Sequence, residues 1–79
     1  MMDYRADIMD FFIKKKRSDG LGFDTDLFAG GFTDSLFALE IIVYLEEEFD
    51  LRIEDSDITQ ENFKTINNMA SLVERIKGA

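Results

Sequence analysis

The stretch DSLFALEIIVYLEEEF, residues 34–49, decides the fold of this chain. Its apolar residues recur at the spacing of an amphipathic helix, and a glycine-rich loop at residues 29–33 precedes it. Asp34 is a good N-cap, because its carboxylate can accept hydrogen bonds from the free N–H groups of the first turn. Ser35 is then the first helical residue. Its hydroxyl lies at the positive end of the helix dipole, where a phosphate group is favoured.

The two sides of this helix differ in composition. At about 100° per residue, an apolar stripe with Leu39 at its margin forms on one side. The predicted core stripe consists of Ala38, Ile41, Ile42, Leu45 and Phe49. The opposite arc consists of Leu36, Phe37, Glu40, Val43, Tyr44 and Glu47. Its mixture of apolar groups and carboxylates has two interpretations: a partner-binding surface, or a surface that the long loop and neighbouring helices partly cover.

The acidic end of the helix favours the partner-binding interpretation. The carboxylates within residues 46–50 occupy the negative end of the helix dipole, where anions are unfavourable. A run of charged residues is usually only a solvated surface. Carboxylates at the unfavourable end of a helix dipole, with no visible local gain in stability, often mark a functional surface. Because Leu36 and Val43 share the arc with carboxylates, we predict that the arc docks onto a basic partner.

Residues 3–16 are predicted to form the first helix. Its apolar stripe consists of Tyr4, Ile8, Phe11 and Phe12. The basic cluster at residues 14–17 has two interpretations, a phosphate-binding patch or positive charge that complements the helix C-terminus. We adopt the second, because basic residues are common at helix ends.

The connection at residues 18–33 is long but carries five large apolar side chains. We therefore expect an ordered loop that closes one side of the core. Within it, Asp24-Thr25-Asp26 opens like a calcium-binding loop, but Phe28, Ala29 and Ser35 stand at later positions that require ligands or glycine. No metal site is predicted, and Asp24 and Asp26 are interpreted as solvated turn residues.

The C-terminal part completes an all-α fold. Residues 59–62 are predicted to form a short helical turn, with Asp57 or Thr59 as its cap. The last helix is predicted from Thr65, its N-cap, to about Lys77. We predict a single domain over residues 1–79, a four-helix bundle of three main helices and one short helix, with a long loop between the first two.

Composition narrows the possible functions. The net charge is −8, and the chain contains neither cysteine nor histidine. The negative charge disfavours nucleic acid and anionic membranes as partners. No apolar stretch is long enough for a membrane span, and no signal pattern opens the chain, so we expect a soluble, cytoplasmic monomer. Nucleophilic catalysis by Ser35 has no suitable base, so an enzyme is not expected.

The Asp34-Ser35-Leu36 motif, followed by Leu39-Glu40 and by the run ending at Phe49, resembles the modification site and recognition helix of acyl and peptidyl carrier proteins. The resemblance continues through Phe63 to Ile66, the start of the family's last helix. It implies the carrier-protein bundle. It also implies that Ser35 receives a 4′-phosphopantetheine arm from coenzyme A, that Asp34 contacts or accepts this arm, and that a phosphopantetheinyl transferase installs it.

The family's arm holds acyl or aminoacyl groups as thioesters and presents them to loading and downstream biosynthetic enzymes. Here Phe32 and Thr33 separate the glycine from Asp34, and Phe37 and Tyr44 replace residues that are usually small or polar. The chain therefore resembles the free-standing carriers of polyketide, nonribosomal-peptide or D-alanyl transfer more than those of fatty-acid synthesis. We expect a carrier in polyketide, nonribosomal-peptide or related specialised biosynthesis.

Two questions stay open at this point. Ile53 and Ile58 either help line the groove that receives an attached chain in the family, or pack in the core. An alternative to the carrier function is an unmodified acidic module that binds a basic partner through the second helix, with Ser35 only at the helix start. A covalent arm on Ser35 distinguishes the two functions.

Overall fold

A computed structural model describes residues 3–78, which form four α-helices, one 3₁₀ turn and no strand. The helices are α1 (Tyr4–Lys14), α2 (Ser35–Phe49), α3 (Gln60–Phe63) and α4 (Ile66–Gly78), and the 3₁₀ turn is Asp55–Asp57. The predicted all-α fold with three main helices and one short helix is confirmed. The sequence pattern did not indicate the 3₁₀ turn.

Local side-chain caps fix where three of the helices begin. The Asp34 carboxylate accepts from Phe37 N–H at 2.8 Å, and the Thr59 hydroxyl accepts from Asn62 N–H at 3.1 Å. The Thr65 hydroxyl accepts from the N–H of Asn68 at 3.0 Å. These three caps confirm the predicted starts, because each satisfies an N–H group that has no partner within its helix.

Helix α1 ends two residues before the predicted end. Lys16 has a left-handed backbone conformation, with φ of 59°. This conformation turns the chain so that Arg17 N–H donates to the Phe12 carbonyl oxygen at 2.9 Å, which satisfies a free carbonyl group of the last turn. The reversal directs the following loop back over the helices.

One apolar core joins the four helices and the long loop. Helices α1 and α4 pack against each other, and α2 contributes one long face to the same cluster. The residues with no exposed surface are Ile8, Phe12, Leu27, Ile41, Leu45, Ile66, Met69 and Val73. Leu27 belongs to the long loop, so the predicted closing of the core by this loop is confirmed.

Backbone hydrogen bonds hold the loop against the end of α3 and the start of α4. Leu27 N–H donates to the Lys64 carbonyl oxygen at 2.8 Å, and Asn67 N–H donates to the Phe23 carbonyl oxygen at 3.0 Å. The Asp24 carboxylate accepts a hydrogen bond from the Asn67 side chain, and Asp26 accepts from the N–H groups of residues 28 and 29. Asp24 is exposed in a turn, as predicted, whereas Asp26 is only partly exposed, and both aspartates also structure the loop through these hydrogen bonds.

Gly30 and Gly31 precede α2, and each position requires glycine for a different reason. A Cβ atom at Gly30 would lie 2.9 Å from both the Asp26 carbonyl oxygen and the Phe32 ring, so a side chain there has no room. Gly31 has φ of 79°, which other L-residues rarely adopt. Together they allow the tight turn that delivers the chain to Asp34.

Candidate functional site

The site is built around the first residues of α2. Asp34 is extended, with φ of −130° and ψ of −179°, and its carboxylate caps the helix through Phe37 N–H. Ser35 is the first helical residue and is exposed. The predicted exposure of Ser35 at the positive end of α2 is confirmed.

A groove of about 460 Å³ runs beside Ser35 between α2 and α3. Its lining includes Phe28, Ala38, Leu39, Ile42, Ile58 and Phe63, with the polar side chains of Thr59 and Gln60 at one side. Ile58 lines this groove and is 46% exposed, whereas Ile53 is buried in the core. A flexible arm attached to Ser35 would therefore find an apolar channel next to its point of attachment.

The predicted outer arc of α2 is wrong at Phe37. This side chain is only 2% exposed, so it cannot contact a partner. Its ring stacks on Phe11 at 5.8 Å between centroids and meets Phe12 edge to face at 5.7 Å. The Arg17 guanidinium covers the ring at 4.0 Å. The α1 aromatics and this cation draw Phe37 inward.

Tyr44 lies on the same edge of α2 and is partly buried. Its ring stacks on Phe11 at 4.3 Å, and its hydroxyl donates to the Asp7 carbonyl oxygen at 2.8 Å. Burial raises the pKa of the Tyr44 hydroxyl above its ordinary value of 10.0, and the negative charge of Glu48 raises it further. Tyr44 thus ties α2 to α1, and its hydroxyl is already occupied.

The exposed apolar residues of α2 form one face. Leu36 is 75% exposed, Leu39 is 60% exposed and Val43 is 51% exposed. Leu39 was expected at the margin of the core, but the buried face is centred on Ile41 and rotated away from it. The spacing of these three residues, i, i+3 and i+7, is the sequence signal that identifies Leu39 as part of the outer face.

The acidic residues of α2 are not equivalent. The Glu46 carboxylate accepts from Ile53 N–H at 2.9 Å, so Glu46 organises the chain after α2. Glu40 pairs with Lys15 at 3.2 Å. Glu47 is exposed and forms no ion pair within residues 3–78. Glu47 is therefore the carboxylate of the predicted arc that is freest to meet a partner.

The basic cluster at residues 14–17, at the end of α1, is also divided among different contacts. Lys14 pairs with Asp10 at 3.1 Å, within α1, whereas Lys15 reaches across to α2. Arg17 donates to the Phe32 carbonyl oxygen at 3.4 Å in addition to covering Phe37. The proximity of Lys15 to the outer face of α2 was not predicted, because no local sequence pattern relates two distant segments.

Within residues 3–78, no group of three or more acidic side chains is arranged to hold a metal ion. The longest helix in this range, α2, has 15 residues, fewer than a helix that spans a bilayer requires. The site therefore consists of an exposed serine, an apolar groove and an outer face of mixed apolar and acidic character.

Residues 15–73 match the family model described as "Phosphopantetheine attachment site". The chain belongs to this family of phosphopantetheine-binding carrier proteins. A carrier of this kind is not an enzyme. When attached, the phosphopantetheine group supplies a terminal thiol that holds acyl or aminoacyl groups as thioesters.

Relatives extend the match over the full chain. The D-alanyl carrier protein of Streptococcus gordonii is 33% identical over 81 residues, which cover 99% of this chain and 100% of the relative. That of Streptococcus sanguinis is 30% identical over 79 residues, with the same coverage. That of Lactococcus lactis subsp. lactis is 39% identical over 54 residues, which cover 68% of each chain. These relatives agree with a free-standing carrier.

Proposed function

We propose that Ser35 carries the phosphopantetheine arm and that the cargo is D-alanine. The observation that carries the first part is the exposure of Ser35 at the capped start of α2, next to an apolar groove. Free N–H groups and the helix dipole favour the phosphate that links the arm to this hydroxyl. Asp34 keeps the first turn of α2 in place through its cap.

The choice of D-alanine is supported by the relatives. Those from Streptococcus gordonii and Streptococcus sanguinis, which align over 99% of this chain, are named D-alanyl carrier proteins. D-alanyl transfer is one of the free-standing pathways that the spacing before Asp34 and the aromatic Phe37 and Tyr44 favour. This proposal is narrower than the polyketide or nonribosomal-peptide role expected from the motif alone.

The proposed partners dock on the outer face of α2. Leu36, Leu39 and Val43 supply exposed apolar anchors, and Glu40 and Glu47 supply negative charge beside them. The two partners required are a phosphopantetheinyl transferase and an enzyme that activates D-alanine. We also propose a cytoplasmic location, because both steps use nucleotide cosubstrates, coenzyme A and ATP.

Mass spectrometry tests the attachment residue. The chain is incubated with coenzyme A and a broad-specificity phosphopantetheinyl transferase, and we expect a gain of one phosphopantetheine group. Ser35→Ala should abolish the gain, whereas Ser56→Ala, at an exposed serine in the 3₁₀ turn, should leave it intact. A gain that survives Ser35→Ala contradicts the proposal, and no gain in the unaltered chain supports the acidic binding module instead.

A loading assay tests the cargo. The modified chain is offered D-alanine, L-alanine or a short acyl group, each with ATP and a matching activating enzyme, and the loaded fraction is read by intact mass. We expect D-alanine to be loaded in preference to L-alanine, and the load to be released by hydroxylamine, which cleaves thioesters. Preferential loading of an acyl group or an L-amino acid contradicts the D-alanyl proposal and leaves the attachment site unaffected.

A further inference from the structure

A second surface pocket, of about 430 Å³, lies between α1 and α2, and Leu39 lines both this pocket and the groove. Its apolar lining consists of Phe11, Leu39, Val43 and Tyr44, and its carboxylates are Glu40 and Glu47. An apolar floor with carboxylates at the rim suits a long basic side chain. Such a side chain lays its aliphatic stem on apolar surface and keeps its charged end near the rim.

Lys15 already occupies part of this pocket in that manner. Its ammonium group lies 3.2 Å from the Glu40 carboxylate and 5.5 Å from the centre of the Phe11 ring. Both contacts are attractive for a cation. The chain thus contains, within itself, a basic side chain bound to one carboxylate and one aromatic ring of the pocket.

We propose that this pocket receives an arginine side chain of the partner enzyme, and that Lys15 competes with it for Glu40. The proposal rests on the proposed function, in which partners dock on the outer face of α2. Arginine fits better than lysine, because its planar guanidinium binds a carboxylate through two hydrogen bonds and stacks on aromatic rings. Lys15 is then a specificity-determining residue, since a partner must displace it.

The exposure of the ion pair makes this exchange possible. The side chain of Lys15 is 43% exposed and that of Glu40 is 52% exposed, so solvent weakens their attraction. A partner's arginine that reaches both Glu40 and the aromatic floor replaces this weak contact with a desolvated one. Removing Lys15 should therefore strengthen docking by about two- to fivefold, the usual range for an exposed ion pair.

The experiment measures the modification of Ser35 by a phosphopantetheinyl transferase with coenzyme A, at low and high salt. Lys15→Met removes the charge but keeps an apolar stem. We expect it to raise kcat/KM by about two- to fivefold, through a lower KM with kcat unchanged. Lys14→Met is the matched control, because it removes the same charge from a lysine that pairs with Asp10 outside the pocket.

A double-mutant cycle then connects the effect to Glu40. In the Glu40→Gln background, Lys15→Met should no longer lower KM, because the contact for which Lys15 competes is absent. Three outcomes would each overturn the proposal. Lys15→Met and Lys14→Met could have equal effects, Lys15→Met could raise KM, or its effect could persist in the Glu40→Gln background. If the chain accepts no phosphopantetheine at all, both this proposal and the proposed function are overturned. If the chain is modified normally but the double-mutant cycle shows no coupling between Lys15 and Glu40, only the proposal about Lys15 is overturned.

Discussion

The Lys77 ammonium group donates to the backbone carbonyl oxygen of Phe49 at 2.6 Å. Lys77 lies in the last turn of α4 and Phe49 is the last residue of α2, so one helix satisfies a free carbonyl group of the other. The positive charge also offsets the acidic residues that crowd the negative end of the α2 dipole. This contact places one positive charge at the negative end of α2, beside the acidic run.

Replacing Lys77 should therefore weaken the fold. We expect Lys77→Met to lower the free energy of unfolding by about 1 kcal/mol, as for a partly exposed charged hydrogen bond. Urea denaturation followed by circular dichroism measures the change. Lys64→Met is the control, because the Lys64 side chain is exposed and makes no ion pair within residues 3–78. Equal losses in the two variants would contradict the capping role.

The carboxylates at the end of α2 should differ in their contribution to stability, because only some of them make hydrogen bonds within the fold. Glu46→Ala removes the acceptor for Ile53 N–H, so we expect a loss of about 1 kcal/mol in unfolding free energy. Glu48→Ala removes the same charge from an exposed position, and we expect a change within about 0.5 kcal/mol. Denaturation at matched ionic strength compares the two. A larger loss with Glu48→Ala would show that charge, not the Ile53 contact, governs stability.

Phe37 and Leu36 are neighbours in the chain with opposite roles. Phe37→Leu shortens a buried ring, and we expect a loss of about 1–2 kcal/mol in unfolding free energy with little change in the modification rate of the folded protein. Leu36→Ala should change stability by less than about 0.5 kcal/mol but lower kcat/KM for modification about tenfold, as for a docking anchor. If Phe37→Leu instead lowered kcat/KM for modification and left stability unchanged, Phe37 would be a partner-binding residue after all.

Tyr44 should make stability depend on alkaline pH. Its pKa is raised in the folded chain, so the contribution of the neutral hydroxyl is fully present below about pH 10 and is lost as pH rises through the folded-state pKa. We expect the unaltered chain to lose stability above pH 10 more steeply than Tyr44→Phe. At pH 7, Tyr44→Phe should cost about 1 kcal/mol through the lost bond to Asp7.

The difference between the two proteins is the quantity to follow, because it cancels the effect of pH on every group that they share. Urea denaturation at pH 7, 9, 10 and 11 supplies it. A difference that stays constant across this range would contradict the raised pKa of Tyr44. It would leave the hydrogen bond as the only contribution of the hydroxyl.

Several features of the site follow from short-range signals in the sequence. The caps at Asp34, Thr59 and Thr65 each join residues three positions apart, so the local sequence specifies them without tertiary contacts. Apolar spacing then gives the helices between the caps. For this reason the bundle and the exposed Ser35 at the start of α2 could be predicted.

The orientation of α2 about its own axis required the tertiary structure. Both Phe37 and Leu39 lie near the borders of the apolar stripe, and a rotation of less than half a turn exchanges their environments. The aromatic rings of α1 and the Arg17 guanidinium bury Phe37, and Leu39 consequently faces solvent. The sequence by itself determined where α2 begins and which residue opens it. Only packing against α1 decided which face it presents, because contacts such as Lys15 with Glu40 join segments that are distant in the chain.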